Sequence, residues 1–274
     1  MEHQIEMLHY EEANKSLKEA SKSQKLMERE IQKLEKTKKA LEHEIRMASE
    51  LQEGETLGAS HHYDIAEGIE NRHEVLKEKI ASLRSYIQEE SHREVLEKYG
   101  PGPHKVKMTL RLPQTDEIKS IVLEMAPLDL MPHSVHVFLE MISHRLWDNN
   151  VFWHHPGVTH VVTATTIQYQ SGEPRNHHFQ QLRLGGVSFA EYTDAYPHEM
   201  YTVAFAGRGP DFYINTKNNS KSHAPGTQAH HLLDDEADPV FAKVVEGKDV
   251  VDSLLKLSAE ATRNRPAVKD WNDN

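Results

Sequence analysis

Histidine is the side chain here with the widest chemical reach, and the 274-residue sequence holds twenty of them. His154, His155 and His160 stand close together, and His177-His178 and His230-His231 are adjacent pairs. Neutral imidazole is a good ligand for zinc and copper. No H-E-x-x-H spacing occurs, however, and adjacent residues of a strand point to opposite faces. The histidines therefore read as surface and loop residues, and no metal site is expected. Asp234-Asp235-Glu236-Ala237-Asp238 gathers carboxylates but lacks the glycine and ligand spacing of a calcium loop, so it reads as a solvated turn. Gly185-Gly186 carries no phosphate-binding pattern and reads as a turn. The absence of cysteine excludes disulfides, thiolate metal sites and cysteine nucleophiles. No serine–histidine–aspartate set stands in a hydrolase context. The net charge of -11 offers no electrostatic footprint for nucleic acid or an anionic membrane face.

The elements that would position such chemistry fall into two halves. All twelve prolines, seven phenylalanines and three tryptophans lie after position 100, whereas the first 100 residues are dense in Glu and Lys. Residues 1–100 carry a seven-residue apolar period. Tyr10, Leu17, Gln24, Ile31, Lys38 and Ile45 take the a positions, and Ala13, Ala20, Met27, Leu34, Leu41 and Ala48 the d positions. The period breaks near 53–59 and resumes with Ile69, Leu76 and Leu83 at a and Ala66, His73, Ile80 and Ile87 at d. This is a coiled-coil seam, and self-association or an intramolecular hairpin is expected from it. Gly100-Pro101-Gly102-Pro103 must stop the helix.

From Lys105 to about 260 the pattern changes to short alternating runs. Val106, Met108, Leu110 and Leu112 alternate, as do Ile121, Leu123 and Met125, which predicts a hairpin-like pair. A helix is expected from Pro132, with Ser134 as its cap and Val135, Phe138, Leu139 and Ile142 on its apolar face. Strands follow over Val158–Thr163, Tyr201–Ala206, Asp211–Asn215 and Val240–Val245, then a helix over Lys248–Leu257 and a loose tail, 261–274. Many short strands with a helix near each end predict a mainly β, barrel-type fold with helical plugs. No apolar run reaches the length of a membrane span and the N-terminus lacks a signal-like stretch. The chain reads as soluble, and its compartment, cytoplasmic or luminal, is left open.

Three stretches carry a family resemblance. Ile121–Pro127 followed by Pro132–Phe138, Tyr201–Gly207 followed by Asp211–Asn215, and Asp238–Val251 together resemble the cyclophilin-type peptidyl-prolyl isomerases, in order and in spacing. The last stretch is similar to the family's H-V-V-F-G-[RK]-V-x-E-G-x-D-V-V ending. The resemblance implies a closed eight-stranded β-barrel with two flanking helices, here preceded by a long coiled-coil region. It implies isomerase activity without a cofactor and proline-containing peptides or proteins as partners.

Prolyl isomerisation is a bond rotation against a barrier of roughly 18–20 kcal/mol. A site must grip the proline ring and stabilise the twisted amide better than the planar one. In the family an arginine within F-H-R-V-I-P-G and a glutamine a few residues later supply donors. The matching segment here is Val151-Phe152-Trp153-His154-His155-Pro156-Gly157, which puts Trp153 or His154 at the arginine position. The glutamine position falls on Val161 or Thr163, the pocket phenylalanine on Tyr213, and the polar residue before that pair on Asp211. The family's late tryptophan falls on Leu232 or Leu233 and the histidine preceding V-V-F on Asp238. The expected donors are therefore His154, Trp153 and, from the Gly207–Pro210 loop, Arg208. The expected substrate contacts are Phe152, Thr163, Phe205, Ala206, Asp211, Tyr213 and Leu233. The unmatched arginine and glutamine leave two readings open, a weak isomerase and a non-catalytic interaction protein with a dead barrel.

Overall fold

The structure is a computed structural model. It describes residues 59–112, 116–153, 160–168, 171–231 and 233–263, together with Arg29, Lys33, Lys36, Thr37 and Lys39. The first heptad run and the break after it lie outside the described residues, as does the tail beyond Arg263. Two compact units divide at Ile87/Gln88. Within the first, the second heptad run is helical, as its period requires, and its helix α1 runs over Ala59–Tyr99. No helix among the described residues is long and apolar enough to cross a membrane.

The second unit opens with the end of α1. Strands β1 (Lys105–Arg111) and β2 (Ile118–Met125) form the expected hairpin, with Val106 opposite Leu123 and Met108 opposite Ile121. Then come α2 (Pro132–Ser143), β3 (Asn150–Trp153), β4 (Val161–Gln168), α3 (Asn176–Gln181), β5 (Thr202–Phe205), β6 (Phe212–Asn215), β7 (Val240–Glu246) and α4 (Lys248–Arg263). The seven strands make one curled, antiparallel sheet in the order β1-β2-β7-β5-β6-β4-β3. Among the described residues β1 and β3 are its edges, so seven strands stand where eight were expected. The strand expected at Val158–Thr163 is displaced to Val161–Gln168.

Period-2 alternation decides which side chains enter the core. Val203, Phe205, Phe212, Ile214, Phe241 and Val162 turn inward and share one buried cluster with Phe138 of α2. The Phe138 ring lies 4.4 Å from Phe241, 5.6 Å from Phe212 and 6.4 Å from Phe205. Trp147 closes the cluster 4.6 Å from Phe212. Removing one such ring costs about 3–5 kcal/mol, so this aromatic knot fixes the strand register on which the outer face depends.

The end of α1 packs along α2 at a constant offset. Ser91 meets His133, Glu94 meets His136, and Lys98 and Tyr99 both meet Glu140. Residues 91, 94 and 98 share one helical face, and so do 133, 136 and 140, so the two helices run parallel here. Ser134 does not cap α2 as expected. The N-cap is Met131, which makes no side-chain cap bond, and proline occupies the first turn. Proline has no N–H to satisfy there, and the next two amides go to Glu191. His133 N donates to its Oε1 at 3.3 Å and Ser134 N to its Oε2 at 2.8 Å.

Candidate functional site

The face of the sheet turned away from the aromatic knot is built by register. Trp153 pairs with Thr163, Thr163 with Tyr213, Tyr213 with Ala204, and Ala204 with Val240. One row therefore crosses β3, β4, β6, β5 and β7. Tyr213, Ala204 and Val240 form a small buried apolar cluster, with Val161, Tyr196 and Ala206 packed against it. Of the two alternatives for the glutamine position, Thr163 is the one in line with Tyr213.

The other expected residues distribute as follows. His154 lies outside the described residues, and Trp153 is described by its register position. Phe152 sits on the inner side, 6.2 Å from Phe212. Phe205, expected on an apolar wall, is fully buried in the core, 4.5 Å from Phe241. The alternation that puts Ala204 outside sends its neighbour inside. Leu233 is buried. Asp211 accepts a hydrogen bond from Thr166 N at 2.9 Å and so ties β6 to β4.

Arg208 is committed elsewhere. Its Nη2 lies 3.1 Å from Oε1 of Glu236 and its Nη1 donates to the Ser188 carbonyl at 3.2 Å. Glu236 is almost completely buried, so the guanidinium compensates a charge that burial would otherwise make costly. The loop that carries Arg208 passes so close to Gly186 that a Cβ there would lie 2.1 Å from the Arg208 carbonyl oxygen. Glycine at 186 is a steric requirement, which is the physical content of the expected turn.

Behind Tyr213 lies a polar hub that sequence reasoning missed. Asp238 is buried. Its Oδ2 accepts from Tyr213 Oη at 2.9 Å and from Gln228 Nε2 at 2.7 Å. Its Oδ1 accepts from Gly207 N at 2.7 Å and faces His230 Nε2 at 2.8 Å and His231 Nε2 at 3.1 Å. Burial works to raise the Asp238 pKa, but the bonds from His231 and His230 outweigh it and hold the carboxylate at about 2. Because the Tyr213 O–H is donated to Asp238, its oxygen accepts from His223 Nδ1 at 3.1 Å. His198 Nε2 donates to the Asp238 carbonyl at 3.0 Å, and burial holds that imidazole at about 4, neutral at ordinary pH.

The acidic cluster is thus split. Asp234 and Asp235 are exposed as a solvated turn would be, whereas Glu236, Ala237 and Asp238 are buried. The available signal was Asp238 standing two residues before the apolar strand Val240-Phe241-Ala242, on the buried side of the turn. The adjacent pair His230-His231 is in a loop, outside any strand, so strand parity does not force the two rings apart.

A family model described as cyclophilin type peptidyl-prolyl cis-trans isomerase/CLD matches residues 110–271. Comparison with curated proteins and with solved structures returned no match.

Proposed function

Because the chain belongs to the cyclophilin-type peptidyl-prolyl cis-trans isomerase family, we propose that it holds proline-containing segments against the outer face around Thr163 and Tyr213 and turns the prolyl bond slowly. The observation that carries this reading is the row Trp153–Thr163–Tyr213. It puts a tyrosine ring and a threonine hydroxyl where the family places a phenylalanine and a glutamine. Tyr213 keeps an aromatic ring at the family's phenylalanine position, buried at the base of that face, while its hydroxyl is turned to Asp238. Loss of one preorganised donor from a polar site lowers the rate about 10²–10³-fold, so slow turnover is the expected consequence. Completion of the curled sheet to the family's closed eight-stranded barrel, and self-association through the heptad helix, belong to the same reading.

One observation favours a non-catalytic alternative, in which the barrel only binds and the coiled coil assembles partners. Arg208, the other cation considered as a donor, is spent on Glu236. A protease-coupled isomerase assay of the full chain with an Xaa-Pro peptide separates the two. Saturable acceleration that disappears in folded Tyr213→Ala and changes in His154→Ala or Thr163→Val supports slow isomerisation. Peptide binding without acceleration supports the alternative, and neither binding nor acceleration sinks both.

A further inference from the structure

We propose that His230, His231 and Asp238 form a binding site for one zinc-class divalent ion, independent of whether the barrel isomerises prolines. The three ligand atoms lie within 4.8 Å of one another. Both imidazole Nε2 atoms converge on the same carboxylate oxygen, at 2.8 and 3.1 Å. Zinc binds imidazole and carboxylate at about 2.0–2.2 Å, which spaces tetrahedral ligands by roughly 3.3 Å. The two nitrogen–oxygen distances therefore need to open by only a few tenths of an ångström to admit an ion. Two neutral imidazoles and one carboxylate are a zinc-type donor set, with the remaining position left to water.

The surroundings are those of a held ligand set. Tyr213 and Gln228 occupy Oδ2 of Asp238, which leaves Oδ1 to face the histidines. The Asp238 amide donates back to Gln228 Oε1 at 3.0 Å, so residue and partner are locked reciprocally. His231 Nδ1 lies 3.8 Å from Oε2 of Glu236, too long for a hydrogen bond but on the side from which a carboxylate can orient a metal-bound imidazole. His231 and Asp238 are shielded, while the His230 ring is 50% exposed and opens one side to solvent.

Without an ion, three N–H groups crowd Oδ1: Gly207 and the two rings. With one, each ring coordinates through the Nε2 lone pair and keeps its N–H at Nδ1, so a proton on Nε2 leaves or moves to Nδ1 as the ion enters. The ion would pin the Gln228–Asp238 segment to the outer face beside Tyr213.

The test is equilibrium dialysis of the full chain, free of any polyhistidine tag and stripped by chelator, against Zn²⁺. One ion per chain is expected. His230→Ala should weaken binding at least about 100-fold, since loss even of an outer partner typically costs 10–100-fold. The double variant His177→Ala/His178→Ala removes another adjacent pair, with ring centroids 3.9 Å apart, and should bind as wild type. Co²⁺ should give intense visible bands of tetrahedral coordination that Asp238→Asn abolishes. If that variant fails to fold, half-exposed His230 still carries the test. Zinc binding equal in wild type and His230→Ala, or lost as much in His177→Ala/His178→Ala, overturns the proposal.

Discussion

His133 is wholly buried, and its protonation should set how the barrel unit tolerates acid. Ser188 N donates to its Nε2 at 2.9 Å, so Nε2 bears a lone pair and the proton sits on Nδ1, directed at Ser91 Oγ 3.0 Å away. A second proton would have to enter Nε2, against the Ser188 amide. Burial, with the nearby His136 adding to it, lowers the pKa from 6.5 to about 3. The unfolded chain therefore takes up a proton below about 6.5 that the native state refuses until about 3, and stability falls as pH drops through that window. For these two pKa values the loss between pH 7.5 and pH 5 works out at about 2 kcal/mol. Urea unfolding followed by tryptophan fluorescence, Trp147 being buried, would measure it in wild type and in His133→Gln. The glutamine offers an amide to the same neighbours and does not titrate. Subtracting the two pH profiles removes every other titrating group, His198 included. A difference of about 2 kcal/mol in the pH 7.5 to 5 drop is expected. Parallel profiles would refute the reasoning, whatever the absolute stabilities.

Two further outcomes follow from single contacts. Arg208→Ala should destabilise the fold by about 3 kcal/mol in urea titration, because it removes the guanidinium that compensates the buried Glu236 carboxylate. Activity per folded molecule should be unchanged, and a fall in kcat at unchanged stability would return Arg208 to the chemistry. Glu191→Ala removes the acceptor for His133 N, Ser134 N, Ser134 Oγ and Gln88 Nε2 together. The loss should be about 2–4 kcal/mol, read as a lower urea midpoint, and a change under about 0.5 kcal/mol would show that water caps α2 equally well.

What the sequence makes legible is what is periodic. Val106, Met108 and Leu110 against Ile121, Leu123 and Met125 are an alternating pair, and they form β1–β2 as read. Phe138 on the apolar stripe of α2 and Phe241 in β7 find each other in the core for the same reason. The short elements escape. Asn150–Trp153 and Asn176–Gln181 span four and six residues, too few for a period to be heard over composition. The cap of α2 escapes as well, because its acceptor lies 57 residues downstream of Ser134. At the site, alignment to motif letters named Tyr213 and either Val161 or Thr163, of which strand register pairs Thr163 with Tyr213, but it also placed Phe205 on the outer wall, which the parity of β5 forbids. Asp238 with His230 and His231 could not be read at all. Their meeting is decided by how a loop lies on a sheet, and loops carry no period.

The constant pairing of Ser91, Glu94 and Lys98 with His133, His136 and Glu140 relocates the beginning of the barrel as a self-sufficient fragment. The glycines and prolines at 100–103 mark where a helix must stop, and invite a cut there. Such a cut would deliver the strands without the helix turns that seal them. It would leave His133 facing water on one side, Glu191 one donor short, and the place of Val95 in the core empty. The punctuation of the chain and the edge of the folding unit are different places, about three helical turns apart.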